Sequence, residues 1–351
     1  MRICYFTLTT NTPPRDLAYL KGLTAQGMEI IECRDFTPGI KKFWRLWQQH
    51  RQLKNNYDIM LVGFASHILV PFARLISSRP IIFNALGTVY DGIIGSRKKY
   101  GLLGWRVIYC WLTDWLAFNS AQLTLLDTNA RVDYIANKFF IPRSKLVRLW
   151  TGVDDGVFKY DPAIKKVGTF TVLFRGALML EAGIEHLVQV ADILKSQPIR
   201  FRIIGNGYGA PLLAQSIKEL SLDNIEWIPE RLPWGDLVHK MQECHLSLGQ
   251  LSDHKRQEFH VPFKTLESMA LKIPYLITAN SYGILEFLTE NETCFCCPPA
   301  NGKALAEKIL RLKDRPDELV QVAENAYQLF QSQFTSQLLS QQLLKIMQQF
   351  I

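Results

Sequence analysis

Short apolar runs alternate with longer amphipathic segments along the whole chain. Apolar runs bounded by Gly, Pro, Asn or Asp predict buried strands, and apolar residues at helical spacing predict helices between them. Strands are predicted at 3–8, 29–34, 59–63, 80–86, 123–127 and 146–149 in the first half. In the second half they are predicted at 170–174, 199–204, 225–228, 246–248 and 275–278.

Helices are predicted in the intervals between these strands. Their predicted ranges are 15–26, 40–54, 67–77, 102–119, 131–139, 184–195, 210–220, 234–243, 263–270 and 283–288, followed by 302–314, 316–333 and 335–350. Strands that alternate with helices are typical of a parallel doubly wound sheet. The pattern restarts after 151–168, the best candidate linker. The prediction is therefore an α/β protein with two doubly wound halves in series and a cleft between them.

Composition is consistent with two domains and gives no sign of a membrane span. The chain has 351 residues, of which 48% are hydrophobic, enough for two cores. No apolar stretch reaches the roughly 18 to 20 uninterrupted residues that a span needs, and the N-terminal apolar stretch is too short for a signal peptide. Cys294, Cys296 and Cys297 are interpreted as reduced thiols in a sheet rather than as metal ligands. We expect no metal and a cytoplasmic protein, soluble or peripheral.

Positive charge is concentrated in the first half. Residues 1–150 contain 20 Lys and Arg against 9 Asp and Glu, whereas residues 151–351 contain 20 against 23, so the halves carry +11 and −3 of the net +8. Two segments combine basic with aromatic residues, Lys41-Lys42-Phe43-Trp44-Arg45-Leu46-Trp47 and Arg97-Lys98-Lys99-Tyr100 with the following 102–109. Such segments suit the surface of an anionic membrane, or else pack as ordinary amphipathic helices. No nucleic-acid-binding signature accompanies them.

The segment His260-Val261-Pro262-Phe263-Lys264-Thr265-Leu266-Glu267 carries the clearest candidate chemistry. Lys264 and Glu267 lie three positions apart on a helix that begins after a buried strand, so they share one face. Nucleotides bind at this place in α/β proteins, and a Lys meets phosphate while a Glu accepts hydrogen bonds from ribose. His260 is either a phosphate contact or a buried structural histidine.

Glycine-rich turns follow the first two predicted strands of the second half. Arg175-Gly176 closes one strand, where backbone N–H groups and the guanidinium suit a diphosphate. Gly205-Asn206-Gly207-Tyr208-Gly209-Ala210 closes the next and fits G-x-G-x-x-G/A, with Glu226 about 20 residues on. An NAD-dependent oxidoreductase using this turn is therefore an alternative. A tight turn that allows a nucleotide to approach closely is the preferred interpretation.

The candidate residues of the first half also follow strands. Tyr90 and Asp91 lie in Gly87-Thr88-Val89-Tyr90-Asp91-Gly92, at the carboxyl end of the strand predicted at 80–86. Thr10 and Arg15 follow the first strand, where an acceptor or a phosphate would dock. Asp91 is a candidate for catalysis.

Four motifs together resemble those of the GT-B glycosyltransferases, particularly family 4. They are Thr151-Gly152-Val153-Asp154, Phe174-Arg175-Gly176 with Ala182-Gly183-Ile184, Ile203-Ile204-Gly205-Asn206-Gly207, and Pro262 with Glu267-Ser268-Met269-Ala270 and Ile273-Pro274. The resemblance implies two Rossmann-like domains, 1–152 for the acceptor and 153–333 for a nucleotide-sugar donor. The last helix, 334–351, would cross back to the first domain. It also implies retaining sugar transfer, with Glu267 on the donor ribose and neither metal nor cofactor.

The chain departs from the family pattern at the diphosphate. The family usually has an Arg directly after the glycine at 176 and a Lys directly before the glycine at 183, but this chain has Ala177 and Ala182 there. The family also has a pair of glutamates eight positions apart, and the position of the first, 259, is Phe here. Arg175, Lys264 and His260 would supply the charge instead, with Gly176, Gly205 and Gly207 lining the site. We expect a hexosyltransferase acting on a lipid-linked or other cell-envelope saccharide at the inner face of the membrane. An inactive GT-B scaffold that binds membrane or a partner is the other alternative.

Overall fold

The computed structural model of the protein describes residues 1–53, 56–95 and 104–351. These form two compact units, Met1–Asp154 with Gln333–Ile351, and Asp155–Ser332. Each unit contains one six-stranded parallel sheet with flanking helices, which confirms the predicted α/β fold class. The predicted basic run Arg97-Lys98-Lys99-Tyr100 lies outside the described residues, as does Lys54.

All strands within each sheet run parallel. The first sheet has the order β2-β1-β3-β4-β5-β6 and the second β12-β11-β10-β7-β8-β9. Their bounds are β1 Arg2–Thr7, β2 Glu29–Arg34, β3 Ile59–Val62, β4 Ile81–Asn84, β5 Leu123–Leu126, β6 Leu146–Arg148, β7 Phe170–Arg175, β8 Ile199–Ile204, β9 Ile225–Ile228, β10 Leu246–Leu248, β11 Tyr275–Thr278 and β12 Phe295–Cys297. The inner strands β3, β4, β5, β10 and β11 are buried throughout, which explains why most of their residues are apolar.

Helices connect the strands and close the chain. Their bounds are α1 Pro14–Ala25, α2 Lys41–Leu53, α3 Leu69–Ile76, α4 Trp105–Ser120, α5 Asn129–Phe139, α6 Ile184–Ile193, α7 Ala210–Glu219, α8 Trp234–Gln242, α9 Phe263–Ala270, α10 Tyr282–Leu285, α11 Gly302–Lys313, α12 Pro316–Gln333 and α13 Ser336–Met347. A π-helical turn, Asp91–Gly95, and a 3-10 turn, Lys255–Phe259, occupy segments for which the sequence predicts no helix.

In the first unit, the helices form two layers around the sheet. Buried residues of α2, α3, α4 and α5 form one core with alternate residues of the strands, such as Cys4 and Phe6 of β1. The last helix, α13, packs on α1 within this unit. Gly22 allows the contact, because a Cβ there would lie 2.2 Å from the Ser336 carbonyl oxygen.

In the second unit, the two faces of the sheet differ in chemistry. Leu246 and Leu248 of β10 join the apolar core formed by residues of α6, α7, α11 and α12. Ser247, between them, faces the other way, and its Oγ lies 2.9 Å from that of Ser268 on α9. Since successive strand residues point to opposite faces, α9 lies on the face opposite that core. The helix that carries Lys264 and Glu267 is therefore fixed against the centre of the sheet.

Candidate functional site

The candidate residues of the second unit meet at the carboxyl ends of β7, β8 and β10. These strands are neighbours in the sheet, and each is followed by a turn that carries a glycine: Gly176, Gly205 and Gly249. α9 begins at the same edge, with Pro262 as its N-cap residue in an extended conformation. Residues 264–270 of this helix are all buried. The sequence therefore brings Arg175, Lys264 and Glu267 together from segments 92 residues apart.

Arg175 and Glu267 form a close ion pair. Arg175 Nη1 donates to both carboxylate oxygens of Glu267, at 2.6 and 2.5 Å. Burial raises the pKa of Glu267 above its ordinary value of 4.5, and the nearby Arg175 and Lys264 oppose that shift. The Glu267 carboxylate, predicted to hold a donor ribose, is thus already oriented by a cation on the neighbouring strand.

Lys264 is a buried cation with few polar contacts of its own. It is only 5% exposed, and its Nζ donates to the Gly249 carbonyl at 3.3 Å. The same atom lies 3.7 Å from the centre of the Phe174 ring. Burial lowers the pKa of Lys264 well below its ordinary value of 10.5; Arg175 adds to the shift and Glu267 opposes it. An anion at this site would relieve the cost of the buried charge.

The glycines of this edge serve backbone packing. Gly176 and Gly205 have φ angles of +134° and +146°, which side chains other than glycine rarely adopt. A Cβ on Gly205 would lie 2.0 Å from the carbonyl oxygen of Gly176, and one on Gly207 would meet the backbone of Leu178. The turns after β7 and β8 therefore lie directly against each other. The sequence predicts that these glycines allow a ligand to approach closely. In the structure they allow the two turns to approach each other.

An open cavity of about 400 Å³ lies beside these turns. It is lined at the ends of β7, β8 and β9 by Gly176, Gly205 and Trp234, among others, together with Arg175 and Arg231. Its size and its mixture of apolar and polar walls are typical of a small-molecule site. Arg175 is among its lining residues, so a ligand bound in it would lie next to the ion pair with Glu267.

The positions where the resemblance predicts cations are occupied by other chemistry. Ala177 is exposed and Ala182 is buried, and neither is charged. Glu181, beside Ala182, is buried and accepts a hydrogen bond of 2.8 Å from Arg256. His260 follows the 3-10 turn and, with Glu181, lines a small second cavity. Lys264 Cε lies 4.0 Å from the position of a Cβ on Gly176, and Arg175 directly precedes this glycine.

Candidate residues of the first unit occupy its own sheet edge. Arg15 begins α1, is fully buried, and donates from Nε to Asn84 Oδ1 at 2.7 Å. Among the residues that the structure describes, neither of its Nη atoms has a hydrogen-bond partner. Thr10 is exposed, and its carbonyl accepts a hydrogen bond from Arg34 Nη1 at 2.7 Å. Arg15 therefore has unused donor capacity, whereas Thr10 lies at the surface.

Asp91 is held in a network of its own unit. Its carboxylate accepts hydrogen bonds of 2.6 Å from Tyr134 and from Thr88. Lys138 Nζ lies 3.6 Å from the same carboxylate and 3.8 Å from the centre of the Tyr90 ring. Tyr90 and Asp91 are thus close together, as their sequence positions require, and both are fixed by α5. These contacts give Asp91 a structural role in ordering the loop after β4.

Three of the buried carboxylates that sequence reasoning missed are held by several contacts. Asp16 accepts hydrogen bonds of 2.6 Å from Tyr5 and 2.9 Å from the Phe64 backbone, and burial raises its pKa to about 6. Asp114 accepts from the backbone N–H groups of Val89 and Tyr90, and burial raises its pKa to about 7. The third, Glu181, is described above. Acidic residues on helices or turns usually face solvent, so no local signal distinguishes these three.

A family model decides the identification. The glycosyl transferases group 1 family matches residues 159–329, nearly the whole second unit, which contains Arg175, Lys264 and Glu267. Residues 159–329 belong to the group 1 glycosyltransferases, and the chain has the GT-B fold. The predicted resemblance is confirmed.

Curated relatives match parts of this chain. The putative colanic acid biosynthesis glycosyl transferase WcaI of Escherichia coli K12 is 27% identical over 144 residues, 39% of this chain. The alpha-D-kanosaminyltransferase of Streptomyces kanamyceticus is 26% identical over 157 residues, 44% of this chain. These matches cover only 34% and 39% of the relatives' own lengths.

Solved structures match the fold over almost the whole chain. HepE of Anabaena, in a crystal structure with UDP, superposes with a TM-score of 0.76 at 14% identity and covers 99% of this chain and 100% of its own. Sucrose-phosphate synthase of Thermosynechococcus elongatus gives a TM-score of 0.79 at 12% identity, covering 99% and 98%. At these identities the likeness concerns the fold alone.

The family assignment disfavours the oxidoreductase alternative. The turn from Gly205 to Ala210 is present, but Gly207 packs on Leu178 rather than facing open space. Glu226, which that alternative assigns to a ribose, accepts a hydrogen bond of 2.8 Å from Arg202 and lies 3.7 Å from Lys240. Its carboxylate is therefore engaged in a structural ion-pair cluster of the second unit.

Proposed function

We propose that this glycosyltransferase transfers a sugar from a uridine diphosphate donor, with retention of the anomeric configuration, to a cell-envelope saccharide acceptor. The observation that carries the proposal is the cluster of partly buried Arg175 with buried Lys264 and Glu267 at the carboxyl ends of β7 and β10. UDP is the nucleotide named with HepE, and colanic acid biosynthesis is named for the Escherichia coli relative.

The donor would extend from the open cavity towards α9. Its base would occupy the cavity of about 400 Å³ beside Gly205 and Trp234. The ribose hydroxyls would donate hydrogen bonds to Glu267, and the diphosphate would lie against Gly176, Arg175 and Lys264. Burial strengthens each of these electrostatic contacts, since solvent screens them less.

The same cations would carry the chemistry. When the glycosidic bond to the diphosphate breaks, negative charge builds up on the leaving oxygen, and pre-oriented cations stabilise it. Lys264 is held by the Gly249 carbonyl and the Phe174 ring, and Arg175 by Glu267. Both groups are therefore in place before the donor arrives. No metal or organic cofactor is part of the proposal.

Thermal shift measurements test the donor site. We expect UDP or its sugar conjugates to raise the melting temperature of the wild type, because a ligand that binds only the folded state stabilises it. Glu267→Ala should abolish this shift. GDP, ADP and NAD serve as comparison ligands, and Glu226→Ala is the matched control. A shift with NAD alone, lost in Glu226→Ala, would favour the oxidoreductase instead.

The acceptor would bind to the first unit, at the carboxyl ends of its strands. Arg15 offers two buried Nη donors there, and Tyr90 and Asp91 lie at the end of β4. A buried cation with unused donors suits a phosphate or a carboxylate of the acceptor. Thr10 would contribute from the surface. In this proposal Asp91 orders the Tyr90 loop and contacts the acceptor.

Membrane association is the second part of the proposal. Among the described residues, no helix is both long and apolar enough to span a bilayer. However, α4 exposes a stripe of large apolar residues at helical spacing: Trp105, Ile108, Tyr109, Leu112 and Leu116. Arg106 lies at the start of this helix, and α2 exposes Lys41, Trp44 and Arg45. Apolar stripes flanked by cations suit the headgroup region of an anionic membrane. In this proposal the protein binds the inner face of that membrane.

Liposome binding tests the α4 stripe. We expect Ile108→Ser/Leu112→Ser/Leu116→Ser to weaken binding to anionic vesicles by about tenfold or more, since each apolar side chain contributes to partitioning. The three side chains are exposed, so the melting temperature should change little. Val320→Ser, an exposed apolar position on α12, is the matched control. Unchanged vesicle binding in the triple variant would exclude this face as the contact.

A charge-reversed variant separates the contribution of α2. Lys41→Glu/Lys42→Glu/Arg45→Glu should remove most of the salt-sensitive part of vesicle binding, because charge attraction is screened by salt. An inactive scaffold would bind vesicles but show neither a nucleotide shift nor turnover. That combination of results would replace the enzymatic proposal.

A further inference from the structure

A second, small cavity lies in the second unit, at the carboxyl-end edge of the sheet near β10 and β11. Its volume is about 10 Å³, and its walls include Glu181, Gln250, Arg256 and His260. Gln250 directly follows Gly249, whose carbonyl binds Lys264. Space of this size holds about one water molecule or one hydroxyl group. The cavity therefore suits a single polar substituent of a ligand.

Two hydrogen-bond acceptors of this cavity lack donors. Glu181 is 6% exposed, and while its Oε1 accepts from Arg256 at 2.8 Å, its Oε2 has no hydrogen-bond partner in the described parts of the chain. The buried Gln250 Oε1 is also without a partner there. Buried acceptors that remain unsatisfied are unfavourable, and native proteins usually pair them with a ligand or water. Both acceptors call for O–H or N–H donors.

Backbone anchoring fixes Glu181 in this position. Its carbonyl accepts hydrogen bonds from Ser252 Oγ at 3.1 Å and from Gln257 Nε2 at 3.0 Å. Gly183, two residues on, has a φ of +65° and packs against the backbone of Ser252. These bonds fix the Glu181 backbone, and the hydrogen bond from Arg256 holds its buried carboxylate.

The order of sites along the sheet edge indicates what would fill the cavity. The open cavity lies at β9, β8 and β7, Arg175 and Lys264 at β7 and β10, and the small cavity on the β10 and β11 side, with Gln250 and Ser281. A nucleotide sugar has the same linear order of base, ribose, diphosphate and sugar. Glu181 also acts electrostatically on Lys264. The group beyond the diphosphate would thus meet Glu181.

We propose that Glu181 and Gln250 bind a hydroxyl group of the donor sugar and so determine which sugar is transferred. This inference rests on the proposed function and assigns the sugar subsite within it. A sugar hydroxyl at the end of the diphosphate donates its single proton to Glu181 Oε2, the charged acceptor, and Gln250 Oε1 is the second acceptor in the same cavity. The rest of the sugar ring lies outside the small cavity, so this cavity recognises one substituent of the ring. A site built to accept a hydroxyl discriminates against a sugar that lacks or misplaces it.

Calorimetric titration with UDP and with UDP-sugars separates the subsites. The wild type, Glu181→Gln and Gln250→Met are each titrated with UDP and with UDP-glucose, UDP-galactose and UDP-N-acetylglucosamine. Glu185→Gln, an exposed carboxylate of α6, is the matched control. We expect Glu181→Gln to leave the Kd for UDP within about twofold and to weaken the preferred UDP-sugar by about tenfold or more. Gln250→Met should act in the same direction with a smaller effect.

The possible results distinguish this inference from the proposed function. If Glu181→Gln weakens the binding of UDP and of the UDP-sugar equally, or weakens the binding of neither, the sugar subsite lies elsewhere and the proposed donor site is unaffected. If the wild type binds neither UDP nor a UDP-sugar, the proposed donor site fails and the subsite with it. If Glu181→Gln does not fold, Gln250→Met decides by the same comparison, because it leaves the pair of Glu181 and Arg256 intact.

Discussion

Replacing Lys264 by Met should lower sugar transfer roughly 100- to 1,000-fold, the range seen when one pre-oriented group that stabilises developing negative charge is removed. Lys264 is buried beside Gly176, at the proposed position of the diphosphate. Met keeps the length and most of the volume of the side chain but carries no charge. The loss should therefore appear in turnover and in UDP affinity, measured with the preferred UDP-sugar and by calorimetry.

The same substitution should not destabilise the protein without ligand. A buried cation is costly, and Glu267 keeps its two hydrogen bonds from Arg175 when Lys264 is removed. We expect a melting temperature equal to or above that of the wild type. Lys218→Met, an exposed Lys on α7, is the matched control and should change neither property. Activity and stability falling together would instead mean that Lys264 acts by holding the fold.

The pH dependence of stability follows from the position of Lys264. Burial lowers its pKa in the folded protein well below the ordinary value of 10.5. At pH values between this lowered pKa and the ordinary pKa of the unfolded chain, the unfolded chain binds a proton that the folded protein does not. Stability should therefore rise with pH across this window. Lys264→Met should lack that rise in chemical denaturation. A bound diphosphate would raise the pKa again, so donor binding should take up protons in the same window.

Strand positions were the most predictable part of the fold. Strands of a parallel sheet are buried on both faces and appear as apolar runs; thus β10 has the predicted bounds 246–248. Helix starts were less predictable where distant side chains compete. The helix predicted at 67–77 begins at Leu69. Ser66 is instead used as an acceptor by the Leu8 N–H, and His67 lies 2.9 Å from the Gly87 carbonyl.

The candidate site was predictable as far as its local motifs reach. Lys264, Glu267 and Arg175 follow from their places after predicted strands, and the structure brings them together. The partners of Asp91 were not predictable, since Tyr134 is 43 residues away. Glu181 is a similar case: its sequence neighbour Ala182 indicates a missing cation, but only the fold shows the buried carboxylate beside it. Pairing across long sequence separations leaves no pattern in a single chain.

Gly205→Ala should destabilise the second unit by about 2 to 4 kcal/mol, a large effect for one methyl group. Two causes add. Forcing a non-glycine residue into a φ near +146° costs about 1 to 3 kcal/mol. The new Cβ would also lie 2.0 Å from the Gly176 carbonyl oxygen, so one of the two turns must move. Chemical denaturation measures the loss as a lower midpoint at constant slope.

The substitution should also weaken the donor site. Gly176 directly follows Arg175, so moving its turn would shift the guanidinium away from Glu267 and from the proposed diphosphate position. We expect UDP affinity to fall by about tenfold or more, a loss that persists at temperatures where the variant is fully folded.

Gly235→Ala is the matched control. Gly235 lies in the first turn of α8, and among the described residues no atom outside this turn lies within 4 Å of the new Cβ. The substitution should therefore stabilise the protein by about 0.5 to 1 kcal/mol. If Gly205→Ala lowered stability but left UDP affinity unchanged, the two turns would pack the fold without positioning the donor. We expect UDP affinity to fall instead. The turn that Gly205 contacts contains Gly176, which directly follows Arg175, so a displaced turn displaces the Arg175 backbone as well.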